Sequence, residues 1–283
     1  MALKSNPDSN TYPHDYRLIC AGREVPTVVG GQAVNLWAIA YLEQGASDLR
    51  AGSLGSKDLD ILADKKVLEY LKTVPGWSFT PNNLRNFTDM RQGFLQGTSE
   101  DGRKLLVEIL HSVHGLEKEE LGYVETIEHR GHPYRLLDPV VMLKAKAANV
   151  RGLKQDDDPP RHDREHLQLI ARCVPSYLRD VHQRAVELPS LEKESLAVIS
   201  RAFKTLQHRK TAETLVAEGI EIASLVPTEF ASSPVERIRN AYKWQMELTV
   251  SAARPLQERG PMVGSNRVET PPPRPSKGPR MGT

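Results

Sequence analysis

The chain has 283 residues, 39% of them hydrophobic, enough to bury one large core or two modest ones. Its 38 basic and 36 acidic residues leave a net charge of +2, too small a bias to select a partner. Two cysteines without a CxxC pair exclude a disulfide scaffold and point to a reducing, cytoplasmic setting, and neither a signal peptide nor a membrane span is visible.

Residues 1–20 read as a polar arm, and residues 21–137 as the strands, turns and helices of a mixed sheet. Thr27-Val28-Val29 is a short apolar strand running into Gly30-Gly31 and a helix over 32–42, with Gly45 as a stop. Glycine lets a ligand approach the backbone closely, and N–H groups at a helix start attract phosphate. Lys57-Asp58-Leu59-Asp60-Ile61 reads as the next strand. Strand side chains alternate, so Asp58 and Asp60 share one face while Leu59 and Ile61 enter a core. Two like charges side by side are costly, and a cation such as Mg²⁺ removes that cost. A phosphate cradle facing a metal-binding acid pair implies chemistry on a nucleoside triphosphate.

A helix follows at 67–71 and an aromatic-bearing loop at 75–81, where Trp77 is read as packing on its own domain rather than stacking on a base. Residues 91–96 and 103–110 form a hairpin across the turn-rich 97–102. In its second strand Glu108 is a lone acid in an apolar run, which calls for a partner or a metal. Residues 124–129 and 134–137 make another strand pair across Arg130-Gly131.

From Asp138 the chain reads as helical. Asp138 suits an N-cap, Pro139 the first helical position and Gly152 the stop. Lys144 and Arg151 share a side of this helix, whereas Lys146 lies about 200° around from Lys144. One of the two lysines can face the same cleft as Arg151, and the spacing selects Lys144. After the loop 156–160 a helix over 161–173 carries Asp163 at the head of an apolar stripe, a position that also suits the helix dipole. Further helices are expected at 175–187, 190–207 and 210–225, and from a capping box at Ser233-Pro234-Val235-Glu236. His111, His114, His162 and His166 form no zinc pattern, and no Ser-His-Asp or nucleophile-elbow signature is present. The Pro/Arg-rich tail from 251 to 283 is expected to be disordered, with a weak affinity for RNA or another acidic partner as the sharper alternative.

Gly30-Gly31, the amphipathic helix and Ser56-Lys57-Asp58-Leu59-Asp60-Ile61 together resemble the nucleotidyltransferase superfamily of the polymerase-beta type. Within it they look most like the AbiEii-like or MNT-like branch, which includes toxins of toxin–antitoxin systems. The resemblance covers about residues 25–175. It implies an α+β fold: a nucleotidyltransferase-like mixed sheet with flanking helices over 21–137, then a helical domain over 138–250. It further implies Mg²⁺ on Asp58, Asp60 and Glu108, and a triphosphate contacted by Gly30, Gly31, Ser56, Lys57, Lys144 and Arg151. Asp163 would support the site or hold the catalytic lysine. The implied reaction moves NMP from an NTP to RNA (tRNA above all), a protein or a small molecule, with an antitoxin as a possible partner. Two departures stand out: Glu108 where many relatives have Asp, and His166 where the family has a second acid. They leave room for a catalytically inactive nucleotide-binding or protein-interaction module.

Overall fold

The computed structural model describes residues 11, 13–20, 24–42, 58–82, 90–155 and 161–257. Gly45, Ser56, Lys57, the loop 156–160 and the tail from 258 lie outside the described residues.

A 3-10 turn, Pro13–Tyr16, leads into the single helical turn α1, Arg17–Cys20. Tyr16, Ile19 and Cys20 are fully buried, so these residues of the expected polar arm belong to the core. The short strand β1, Thr27–Val29, passes directly into the helix α2, Gly30–Tyr41. β2 spans Leu59–Leu62 with Leu59 and Ile61 buried, as alternation requires. The helix α3, Lys65–Leu71, starts where Asp64 accepts hydrogen bonds from the Lys66 and Val67 amides, both at 2.9 Å.

The expected loop at 75–81 ends in a strand instead, β3, Ser78–Pro81. Its partner β4, Arg91–Thr98, explains why. A Cβ on Gly97 would lie 2.6 Å from the Trp77 ring, and one on Gly93 would lie 2.7 Å from the Phe79 ring. Two glycines on β4 thus seat two aromatic rings that pin the edge strand down. Trp77 packs on its own domain, with Tyr16 6.4 Å away between ring centroids. β5, Lys104–Leu110, closes the predicted hairpin with β4. β6, Val124–His129, and β7, His132–Leu137, meet at Arg130 (φ 51°) and Gly131 (φ 75°). Both turn residues are left-handed, as a two-residue hairpin loop demands.

The strands form one mixed seven-stranded sheet in the order β3-β4-β5-β2-β1-β7-β6. β1 runs parallel to β7 and β2 parallel to β5; the other pairs are antiparallel. The architecture is therefore α+β, a mixed sheet with flanking helices.

The helical part opens with α4, Pro139–Gly152, whose ends fall where the sequence puts them. Asp138 accepts from the Val141 amide at 2.9 Å, and Pro139 takes the first position. α5, Asp163–Glu187, is one helix running through Pro175, not two. Pro175 removes one amide donor, but Leu167, Ile170, Val174, Leu178 and Val181 continue a single buried face across it. α6 spans Glu192–Gln207 and α7 only Arg209–Ala217. Gly219 (φ 72°) breaks the expected longer helix, and a 3-10 turn at Ile222–Leu225 follows. α8 spans Glu236–Gln257 and starts after Pro234, with Ser233 Oγ accepting from the Val235 amide at 3.1 Å.

One continuous hydrophobic core joins sheet and helices, from Tyr16 through Trp37 and Tyr177 to Ile238. Trp37 Nε1 donates to the Leu137 carbonyl at 2.9 Å, and the Tyr177 hydroxyl donates to Glu125 at 3.0 Å. No helix among the described residues is long and apolar enough to cross a membrane.

Candidate metal and nucleotide site

Four residues lie in register across the middle of the sheet: Val29 on β1, Asp60 on β2, Glu108 on β5 and Phe94 on β4. Residues in register project to the same face, so Asp60 and Glu108 share a face while their neighbours Ile61 and Ile109 are fully buried on the other. β2 and β5 lie side by side although β3 and β4 separate them in the chain.

Asp58 stands one residue before β2 and places a second charge beside Asp60. Burial pushes the Asp60 carboxyl well above the usual range, and the charges of Asp58 and Glu108 push it further. Lys146 and Arg161 act in the opposite direction. An acid held this way gains from a cation. As placed, however, no three His, Cys, Asp or Glu side chains among the described residues converge closely enough to hold a metal ion. Glu108 leans toward Arg91, with 3.6 Å between Oε1 and the guanidinium. The donor set is all oxygen, which suits Mg²⁺. Glu108 would join such a set only by turning off Arg91.

Gly30 is fitted to this carboxylate. Its φ is +66°, and a Cβ there would sit 1.9 Å from Asp60 Oδ2. Only glycine lets the start of α2 come this close to the acid. Val29, at the N-cap, has no side-chain oxygen to satisfy the first amides of α2. The helix start beside Asp60 thus has the chemistry of an anion cradle, with Gly31 as its next residue.

The basic residues differ from expectation. Lys144 donates to both oxygens of Glu120 at 2.7 Å, and Arg151 pairs with Glu213 of α7 at 2.6 Å. Neither is brought to the acids. Lys146 is, although the sequence favoured Lys144. Its Nζ is buried and donates to Asp163 Oδ1 at 2.9 Å. Asn149 donates to the same oxygen at 3.0 Å, and Arg161 Nε to Oδ2 at 2.7 Å. Burial alone would push the Asp163 carboxyl up, but Lys146, Asn149 and Arg161 together hold it well below the usual range. Asp163 is therefore a buried anchor for Lys146. His166 lies one turn further along α5. Burial first, then the Lys146 charge, lowers its imidazole to about 3.

Two residues near the acids escaped the sequence reading. Tyr16 is completely buried and donates to Thr11 Oγ1 at 2.9 Å. Burial raises its phenol, and the charges of Asp58, Asp15 and Asp60 contribute. Thr11 is tied to α2 through Gln32 Nε2, which donates to its carbonyl at 3.0 Å. No local motif marks either residue.

No family model matches the chain, and no curated protein sequence matches it. Among solved structures, the chain is similar to an antigenic nucleotidyltransferase-like protein from Paracoccidioides brasiliensis. That match is 12% identical and covers 65% of this chain and 95% of the other, with a TM-score of 0.38.

Proposed function

We propose that this chain is a nucleotidyltransferase of the polymerase-beta type. One observation carries the reading: Asp60 lies in register with Glu108, beside Asp58, with the glycine start of α2 pressed against its carboxylate. Acids in apolar surroundings that repel one another are unfavourable for folding, and a divalent cation with a polyphosphate turns that cost into a binding site.

Asp58 and Asp60 would hold Mg²⁺, with Glu108 as the third acid; the ion would neutralise the triphosphate and activate the acceptor hydroxyl. The amides at Gly30 and Gly31 orient the β and γ phosphates. Ser56 and Lys57, outside the described residues, would extend this cradle. The acceptor oxygen forms a bond to the α-phosphorus in line as the bond to the pyrophosphate oxygen breaks. Lys146 balances the charge that develops on pyrophosphate. Asp163, itself held by Asn149 and Arg161, fixes the position of Lys146, which takes over the role first given to Lys144.

The acceptor (RNA, tRNA in particular, a protein or a small molecule) and membership of a toxin–antitoxin pair rest on the sequence resemblance alone. A second reading, a nucleotide-binding module without turnover, draws on the engagement of Glu108 with Arg91. One assay separates the two. The full chain is incubated with Mg²⁺, each α-³²P-labelled NTP, and total RNA plus cell protein, beside Asp58→Ala/Asp60→Ala. Label that moves onto an acceptor only when both aspartates are intact supports transfer. Mg²⁺-dependent NTP binding with no labelled product supports the module, and neither binding nor label refutes both.

A further inference from the structure

Among the described residues β6 ends the sheet. Its two-residue turn makes His129 and His132 the first hydrogen-bonded pair, so alternate residues Ile127 and Glu125 also direct their backbone groups to β7. Thr126 and Glu128 then turn N–H and C=O outward, and both residues are exposed. Beside this edge runs an open groove of about 380 Å³ between β6 and α5. Its aromatic wall includes Tyr41 and Tyr177, and its charged groups are Glu125, Asp180, Glu187 and Arg184. Glu125 is shared by the Tyr177 hydroxyl at 3.0 Å and Arg184 at 3.4 Å. The groove therefore has three carboxylates against one guanidinium.

We propose that this edge docks an extended basic peptide segment, which adds a strand to β6 and lays lysine or arginine side chains into the groove. Outward backbone groups supply a template for main-chain hydrogen bonds. Alternate side chains of an added strand fall on the α5 side, where the acids pair with them and the Tyr41 ring offers a cation–π face. The same charge argues against a second copy of this chain, because antiparallel pairing of two β6 edges keeps both grooves on one face of the sheet and brings their acids side by side.

The test uses the full chain and a capped peptide alternating lysine and valine, with a glutamate–valine peptide as control. Binding is followed by fluorescence anisotropy and by amide NMR. The expected result is saturable binding of the lysine peptide alone, weakening with salt, with Thr126 and Glu128 amide signals perturbed. Asp180→Lys/Glu187→Lys should weaken it about tenfold or more through charge reversal. Thr126→Pro should weaken it about as much by removing an outward N–H while sparing the pairing to β7. Circular dichroism checks that each variant is folded, and the charge reversal still decides if the proline variant is not. Equal binding of both peptides, no saturable binding, or signals moving elsewhere overturns the proposal. Dimerisation in sedimentation that Thr126→Pro abolishes also overturns it, in favour of self-pairing.

Discussion

Replacing Gly30 by alanine tests the contact between the start of α2 and the acid pair. The new Cβ would meet Asp60 Oδ2 at 1.9 Å, Cγ at 2.7 Å and Cβ at 2.9 Å. Swinging the carboxylate aside cannot relieve all three, so the whole Asp60 side chain must shift. The left-handed backbone adds about 1 kcal/mol for any residue with a Cβ. Gly131 is the matched control: its φ is +75°, and a Cβ there meets nothing within 4 Å. Gly131→Ala should therefore cost about 1 kcal/mol. Gly30→Ala should cost that plus about 1–3 kcal/mol of overpacking. Urea denaturation of wild type and both variants in chelator measures the difference. Repeating it across a Mg²⁺ titration with NTP reads the site: the apparent Mg²⁺ affinity should weaken more than about tenfold, a loss of about 1.4 kcal/mol of stabilisation at saturating ion, in Gly30→Ala alone. A Gly30→Ala protein as stable as Gly131→Ala, with an unchanged Mg²⁺ response, would refute the contact.

Asp60→Asn should stabilise the metal-free protein near neutral pH and abolish its response to Mg²⁺. The folded Asp60 carboxyl is raised above its unfolded value, so wild-type stability falls as pH rises above the ordinary carboxylate range, and the variant should lose that fall in denaturation curves. Lys146→Ala removes the buried partner of Asp163, leaving Asn149 and the more exposed Arg161, and should cost about 3 kcal/mol and abolish label transfer. Lys144→Ala breaks a partly exposed pair, should cost about 1 kcal/mol or less, and should keep transfer. His166 is neutral in the fold down to about 3, whereas the unfolded chain takes up its proton near 6.5. Stability should drop as pH falls through that window, and His166→Asn should remove about one proton from the acid-limb slope, read by denaturation at stepped pH.

Features with a local cause were legible in the sequence. Strand alternation put Leu59 and Ile61 inside and left Asp60 to the other face, and the cap, proline and glycine of α4 fixed its ends. The lysine was not legible. α4 buries Val140, Val141, Met142, Leu143, Ala145 and Ala147, almost its whole circumference, because it packs between several helices. An apolar stripe then no longer marks which side faces the acids. Spacing correctly separated Lys144 from Lys146, but the choice depended on Asp163, a non-local partner reached through the loop after α4. Pro175 misled for the same reason: a local breaking signal was outweighed by a buried face that continues on both sides of it.

The junction between sheet and helices has a kinetic consequence. Asp138 caps α4 and also accepts from Arg201 of α6, whose guanidinium stacks 3.8 Å from the centre of the Tyr123 ring. With Trp37 bonded to the Leu137 carbonyl one residue earlier, this point is a weld rather than a hinge. Clamshell closure, with its microsecond-to-millisecond tempo, has no soft joint to bend about here. Under the proposed function, a nucleotide would enter and leave through side-chain rotations and surface segments, which move faster. Relaxation measurements across the 137/138 peptide should find it as rigid as the middle of α5.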